Sequence, residues 1–372
     1  MAMHNPNELR EKRNILRTLF VLGALVFFIV GLGGYVRLSG SGLSIPHWPL
    51  INGSLLWPQD EPGWELLMEQ YHEDVAGLTI PKVPGRTEME QFRVMFWIEY
   101  SHRAVASVIG LVWLVLLAQV LMYREAGRPF RSWTVGIGIM IFLQALLGGL
   151  VVLKQLPAEK VALHLTTAFV ILAAILWTML KIMRPAQAGA GPNPLRWWAR
   201  LAAGATLAQI FIGGLVAGSG AGYMINTWPK MGDHWVPPGM WSETFQPIVL
   251  NLLENQITVQ FIHRWFAVTV VAVIVAMVFR SFTLGVSPVA RWSLRLVVGI
   301  VTLQFILGVL TLLWAVPVHM GLTHQMVGLV LFEVLVVILY EATHRVVVTE
   351  EQQAATLEAS EQEIERSRAV TA

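Results

Sequence analysis

Long runs of apolar residues alternate with short polar segments along this chain. A helix needs about 20 predominantly apolar residues to cross a bilayer, and eight runs reach or approach that length. They lie at about 16–38, 97–123, 132–153, 160–183, 197–219, 257–280, 290–315 and 320–343. The pattern predicts an all-α polytopic membrane protein with eight transmembrane helices.

The composition supports this prediction. Of 372 residues, 55% are hydrophobic and 13% are charged, whereas a soluble domain carries about 25% charged residues. The net charge of +2 is too small to indicate a nucleic acid partner. The chain has no cysteine, which excludes disulfides, iron–sulfur clusters and thiolate zinc sites. Any metal chemistry must therefore use His, carboxylate, Met or Tyr.

Basic residues gather at one set of span ends, and such residues concentrate in short cytoplasmic loops. With eight spans, all of these basic residues fall on one side of the membrane, so both termini are predicted to be cytoplasmic. The cytoplasmic N-terminus comprises 1–15, and a solvated tail comprises 346–372. The first apolar run exceeds the 7–15 residues of a signal peptide core, so we expect an uncleaved first helix. The basic residues are Arg10, Lys12, Arg13, Arg17, Arg124, Arg128, Arg131, Lys181, Arg184, Arg196, Arg200, Arg280, Arg291, Arg295 and Arg345.

The chain contains two related halves. The segment "QALLGGLVVL" (144–153) resembles "QFILGVLTLL" (304–313), and "GGYVRLSGSGLSIPHWP" (33–49) resembles "GGLVAGSGAGYMINTWP" (213–229). The first outer loop, about 39–96, is roughly 19 residues longer than its counterpart. We predict two pseudo-symmetric four-helix bundles in parallel, spanning 16–185 and 197–345.

Four of the ten histidines fall within the spans, each a few residues inside the start of an even-numbered span. Even-numbered spans all begin at the outer face, so these side chains lie roughly 6–10 Å below that boundary. Two histidines at one depth on two helices can approach a shared axis from opposite sides. The arrangement predicts bis-imidazole ligation of a heme iron in each half. The residues are His102 and His164 in the first half, and His263 and His324 in the second.

Other uses of these histidines stay open. A histidine near a helix end can hydrogen-bond a neighbouring helix, and proton relays use intramembrane His and Glu. A zinc site would need further ligands, because each half supplies only two well-placed histidines.

Small and basic residues near the histidines suit a heme but also have ordinary roles. Runs such as "GLGG" (31–34), "LLGGL" (146–150), "IGGLVAGSGAG" (212–222) and the Gly308 region would let a flat cofactor approach. Ordinary packing of membrane helices uses the same residues. Arg103 and Arg264 directly follow a histidine, and each would bind heme propionates or extend to lipid headgroups.

The two halves differ beside the histidines. Glu99 stands three residues before His102, whereas Gln260 stands three residues before His263. Residues three apart share a helix face, so only the first half offers an ionisable carboxylate beside its heme. We predict a catalytic Glu99 in the first half and a supporting second half. The alternative is that Glu99 is an interfacial residue without chemistry.

Five motifs are the most specific features of the chain. They are "FWIEYSHR" (96–103), "SGSGLSIPHWPLINGSLLWP" (39–58), "NTWPKMGDHWVPPG" (226–239), "QFIHR" (260–264) and "LTHQMVGL" (322–329). With these motifs the chain resembles the heme A synthase family over nearly its whole length. The resemblance implies an inner-membrane enzyme with eight helices. It also implies oxidation of the C8 methyl of heme O to a formyl group, giving heme A for terminal oxidases, through two hydroxylations and loss of water from the geminal diol.

The resemblance further implies roles for the site residues. His102 and His164 would hold the substrate heme, and His263 and His324 would ligate a resident heme b. Glu99 matches the glutamate that the family places near the oxidised methyl group. Expected partners are heme O synthase and oxidase assembly factors, while the electron acceptor stays unidentified and a homo-oligomer stays open.

Two features depart from the family pattern. Some bacterial members carry a cysteine pair in the outer loops, whereas this chain looks closer to a cysteine-free branch that resembles alphaproteobacterial and mitochondrial members. The segment "PHWP" (46–49) differs from the expected loop pattern, which leaves the role of His47 undefined.

Two other functions compete with the enzyme. A diheme b-type electron carrier between quinol and an acceptor would also use four histidines, but has no need for the difference between Glu99 and Gln260. A transporter built from the repeat would hold no heme.

Overall fold

The structure is a computed structural model that describes residues 6–51, 53–75, 80–185 and 193–344. Helices make up most of this part of the chain. Arg345 and the predicted tail at 346–372 lie outside it. The α-helices are α1 (Pro6–Leu38), α2 (Glu61–Asp74), α3 (Glu88–Met122), α4 (Arg124–Gly127), α5 (Arg131–Leu153), α6 (Ala158–Met183), α7 (Leu195–Ser219), α8 (Val249–Leu253), α9 (Gln256–Ser281), α10 (Pro288–Leu313) and α11 (Val318–His344).

Eight helical segments in the described ranges are long and apolar enough to cross a membrane. They contain α1, α3, α5, α6, α7, α9, α10 and α11, and each corresponds to one predicted span. The predicted fold class, an all-α polytopic membrane protein with eight transmembrane helices, is therefore confirmed.

Two spanning helices begin earlier in the chain than the apolar pattern predicts. Helix α1 starts at Pro6, and α3 starts at Glu88, well before residue 97. A capping box explains the start of α3. The Thr87 hydroxyl accepts a hydrogen bond from the Glu90 amide, and the Glu90 carboxylate accepts one from the Thr87 amide. These bonds satisfy backbone donors that the first helical turn leaves free, so α3 extends outward beyond its apolar run.

The spanning helices of each half form a ring. In the first half α1 packs on α3, α3 on α5, α5 on α6, and α6 on α1. In the second half α7, α9, α10 and α11 have the corresponding neighbours. This shared pattern is what two four-helix bundles require. The pseudo-symmetric relation and the boundaries 16–185 and 197–345 stay predictions.

Polar contacts join the halves at the end of the molecule predicted to be cytoplasmic. The Arg184 guanidinium, just after α6, donates to both carboxylate oxygens of Glu341 near the end of α11. The Ser287 hydroxyl, at the start of α10, donates to the same carboxylate. Because Glu341 is buried, these donors offset the cost of removing its charge from water.

Tight turns connect α5 to α6 and α10 to α11, and their backbones match. Gln155 and Leu156 have φ angles of 57° and 59°, and Ala315 and Val316 both have 56°. The Leu156 amide donates to the Val151 carbonyl at 2.8 Å, and the equivalent bond also measures 2.8 Å in the second half. Positive φ is strained for residues with a Cβ, so the surrounding packing must hold both turns.

The long first outer loop has its own apolar core. Helix α2 buries Trp64, Leu67 and Tyr71 against the outer end of α3, where Phe92 and Phe96 are also buried. An N-cap at Asp60 starts α2. The apolar-run pattern did not predict this short helix, because it buries one face only. The loop is thus a packed cover over the outer end of α3.

Candidate functional site

The four predicted histidines lie on helices that face each other across the two rings. His102 lies on α3 and His164 on α6, and each of these helices packs between α1 and α5. His263 lies on α9 and His324 on α11, which both pack between α7 and α10. Each pair therefore lies on two helices that stand opposite each other in their ring.

The second-half pair has the spacing of two ligands on one metal ion. The ring centroids of His263 and His324 lie 6.5 Å apart, and the ring planes are inclined by 81°. Imidazole–metal bonds are about 2 Å long, so two rings on one ion have centroids roughly 6 Å apart.

A glycine on a neighbouring helix packs against each histidine ring. A Cβ atom added at these glycines would lie only 2.9–3.1 Å from the nearest ring atom. Real Cβ atoms rarely approach that closely, so a larger residue would displace each ring. The small-residue runs therefore shape the space around the histidines as well as the helix packing. The pairs are Gly33 with His102, Gly148 with His164, Gly213 with His263, and Gly308 with His324.

Two buried ring nitrogens of the paired histidines have no hydrogen-bond partner among the described residues. The Nδ1 atoms of His164 and His324 are buried and make no hydrogen bond within the described residues. A buried polar atom without a partner carries a large free-energy cost, and a bound group can remove that cost. The paired rings, the glycine cradles and these nitrogens all fit heme ligation. Within the same ranges, no three His, Asp or Glu side chains converge as a metal cluster.

Glutamines lie four residues before three of the four glycines, and they were not among the predicted site residues. The Gln209 amide nitrogen lies 3.0 Å from His263 Nδ1 and 2.9 Å from the carbonyl oxygen of the same residue. The Gln304 amide nitrogen lies 3.4 Å from His324 Nε2. The Gln144 amide donates to the main-chain carbonyl of His164 at 2.9 Å. The available signal was the repeated start of "QALLGG" and "QFILG".

Glu99 is buried, and both of its carboxylate oxygens accept hydrogen bonds. One carboxylate oxygen accepts hydrogen bonds from the Ser44 hydroxyl at 2.8 Å and the Ile45 amide at 2.9 Å, and the other is ion-paired with Arg103. Arg103 also donates to the Ile45 carbonyl at 2.8 Å and stacks 5.6 Å from the centre of the Trp48 ring. The carboxylate therefore joins helix α3 to the first outer loop.

Helix α2 brings a phenol toward the same carboxylate. Burial raises the pKa of Tyr71 above its usual value, and the negative charge of Glu99 raises it further. Both effects favour the neutral phenol, because the phenolate would lose hydration and face a like charge. Tyr71 therefore stays protonated at neutral pH, within the apolar core of the outer loop.

The second half reproduces the loop contact without the carboxylate. Arg264 donates to the Ile225 carbonyl and, at 2.6 Å, to the Thr227 carbonyl. The Gln260 amide donates to the Ile225 carbonyl at 3.2 Å. Ile225 corresponds to Ile45 in the repeat, so both arginines bind the same loop carbonyl. A role for either arginine in binding propionates stays a prediction.

Two further titratable residues lie outside the histidine pairs. Glu333 on α11 is mostly buried, neither of its oxygens has a hydrogen-bond partner in the described chain, and it lines a cavity of about 250 Å³ against α1 and α6. It was not predicted as a site residue, although a carboxylate within a span is itself a signal. His47 lies in the outer loop, and its ring nitrogen is 3.9 Å from the Asp74 carboxylate with both side chains largely exposed.

Comparison with known proteins identifies the family. Residues 16–336 match the sequence model of the COX15-CtaA family, described as a cytochrome oxidase assembly protein. The chain belongs to this family. The resemblance predicted from the motifs is thereby confirmed, and the matched region runs from α1 into α11.

Several proteins similar to this chain carry the name heme A synthase. One such protein from Methylorubrum extorquens is 34% identical over 314 residues, covering 82% of this chain and 81% of the relative. That of Nitrosospira multiformis is 33% identical, covering 84% and 89%. That of Azorhizobium caulinodans is 34% identical, covering 86% and 92%. The similarity thus extends over most of the membrane-spanning part of the chain.

Proposed function

We propose that this protein is a heme A synthase, an oxidoreductase that converts the C8 methyl group of heme O to a formyl group. The observation that carries the proposal is a pair of histidines facing each other in both halves, with a carboxylate beside only one pair. Family membership and relatives named heme A synthase support the same reaction. The product would supply terminal oxidases.

The second half is proposed to hold heme b through His263 and His324. Their ring spacing of 6.5 Å and the cradles at Gly213 and Gly308 support this assignment. Heme b, when bound, supplies reversible one-electron chemistry. The residues of this half orient the two imidazoles and exclude water from the ring centre.

The first half is proposed to bind the substrate heme O through His102 and His164. Two hydroxylations at the methyl carbon and loss of water would give the formyl group. Glu99 is proposed to act beside that carbon. Its bonds to Ser44 and Ile45 hold the carboxylate in place before the reaction, which is the preorganisation that electrostatic stabilisation requires. Arg103 and Arg264 remain the proposed contacts for propionates.

A diheme electron carrier accounts for less of the structure. Such a carrier would use both histidine pairs, but would not need a buried Glu99 in one half where Gln260 stands in the other. Heme O synthase, oxidase assembly factors and an electron acceptor are the partners we propose for the enzyme.

Pigment analysis tests the proposed activity. We expect that expression in cells that make heme O but no heme A leads to heme A in the membranes. The purified protein should also contain heme b, with heme O or the hydroxylated intermediate. The assay extracts the pigments and separates them by chromatography. Vector-only cells serve as the control, and heme b as the only pigment in protein and membranes would support the electron carrier instead.

We also propose an inner-membrane location with both termini in the cytoplasm and the outer loops on the opposite side. The basic residues at one end of the spans support this orientation. A reporter fused at residue 60 should be active outside the cytoplasm, and one fused at the C-terminus should be active inside it. The proposed orientation places an odd number of spans between the two fusion points. Activity of both reporters on the same side of the membrane would therefore contradict it.

A further inference from the structure

We infer that Gln209 and Gln304 are positioning residues that hold the imidazoles of His263 and His324, and that the lack of such contacts in the first half lets that pair exchange its heme. The inference rests on the proposed function, because it assumes heme b in the second half. It adds a physical reason why one half would retain its heme while the other releases it.

The positions of the glutamines come from helix geometry. Gln209 and Gln304 each lie four residues before the glycine that cradles the histidine, so glutamine and glycine share one helix face. The glycine leaves room for the ring, and the glutamine reaches its edge. One helix thus places a glycine beside each second-half imidazole and a glutamine amide at one of its nitrogens, Nδ1 of His263 and Nε2 of His324.

The first half lacks this contact with the rings. Gln144 occupies the equivalent position before Gly148, but its amide donates to the main-chain carbonyl of His164. Ile29 stands four residues before Gly33 and offers no polar group to His102. Among the described residues, neither first-half ring has a hydrogen bond from a glutamine.

Hydrogen bonds to the second ring nitrogen govern how a histidine holds a metal. A ligating imidazole usually donates its other N–H to an acceptor, which fixes its tautomer and orientation, and loss of that partner costs about 10- to 100-fold in metal affinity. A glutamine amide offers both an NH₂ group and an oxygen. In the structure the amide nitrogen of each glutamine faces a ring nitrogen, and the amide oxygens are buried without another partner in the described chain. A half-turn of the amide presents its oxygen to a ring N–H, and for Gln209 this turn gives up the bond to the His263 carbonyl.

Replacing each glutamine by leucine tests the inference on the purified holoprotein. Gln209→Leu and Gln304→Leu should speed the transfer of heme b to apomyoglobin by about 10- to 100-fold and shift the heme reduction potential. Gln144→Leu is the matched control, since its amide contacts only a main-chain carbonyl of the other half, and should leave the transfer rate and potential of heme b unchanged.

A conservative variant covers the case in which a leucine variant fails to fold. Gln209→Glu keeps the shape and puts a carboxylate oxygen where the amide nitrogen faces His263 Nδ1. It should retain heme b with a lower potential, because a carboxylate draws the ring proton more strongly than an amide does. Wild-type transfer rates and potentials in folded Leu variants, or a wild-type potential in Gln209→Glu, would overturn the positioning role. Purified wild-type protein without a bis-histidine heme would instead refute the proposed function itself.

Discussion

His263→Ala is expected to abolish the low-spin spectrum of the bound heme b, and His324→Ala to do the same. Each variant would remove one of the two proposed iron ligands, and the two rings lie too far apart for the remaining one to take both positions. His319 and His344 lie at the two ends of α11, so neither is placed to replace the missing ring. The measurement is the absorption and electron paramagnetic resonance spectrum of protein purified in detergent.

A surface histidine provides the control for these variants. His234 lies in the exposed outer loop of the same half, so His234→Ala should keep both the spectrum and the heme content. The ligand assignment fails if both His263→Ala and His324→Ala retain the spectrum of the unmodified protein.

Glu99→Gln is expected to slow the formation of heme A by about 10²- to 10³-fold, the usual cost of losing one preorganised electrostatic group. Oxidation of the methyl carbon builds positive charge as electrons leave, and a nearby carboxylate stabilises that charge or accepts the departing proton. Glutamine keeps the shape and an oxygen for the Ser44 and Ile45 donors, and it reproduces Gln260 of the second half. The measurement is the ratio of heme A to heme O and hydroxylated intermediate in extracted pigments.

The ion pair with Arg103 makes a structural control necessary. Loss of one partner in a buried pair destabilises a protein by roughly 3–5 kcal/mol, so heme b retention and thermal stability must be measured alongside activity. Glu65→Gln changes an exposed carboxylate on α2 and should leave heme A formation unchanged. Heme A made by Glu99→Gln at the normal rate would mean that the carboxylate only anchors the outer loop.

The eight spans could be predicted because each one is a continuous apolar run, and lipid permits no other backbone arrangement for such runs. The pairing of His102 with His164 and of His263 with His324 followed from the repeat and the direction of the spans. Helix α2 could not be predicted in this way. Its buried face depends on apolar side chains of α3, which begins earlier than the apolar pattern indicates.

The contacts of the charged residues were harder to predict. Arg103 lies four residues after Glu99, a spacing that favours an ion pair. From the sequence, however, Arg103 was predicted to bind heme propionates or lipid headgroups. Its bond to the Ile45 carbonyl depends on how the outer loop folds back. The proposed contacts of Gln209 and Gln304 with the histidine rings likewise depend on how α7 and α10 are rotated about their axes. The sequence of a helix does not by itself specify that rotation.

The paired turns at 155–156 and 315–316 determine the rotational phase of the histidine helices. An α-helix advances about 100° and 1.5 Å per residue, so one inserted residue in either turn would aim His164 or His324 about a quarter-circle away from the ring centre. The loops before α3 and α9 differ in length by roughly 19 residues between the halves. Loops that vary this much in length do not determine how the following helix is rotated about its axis. We therefore expect length variation to be tolerated in the loops before α3 and α9, but not in the tight turns, where it would disrupt the proposed ligation.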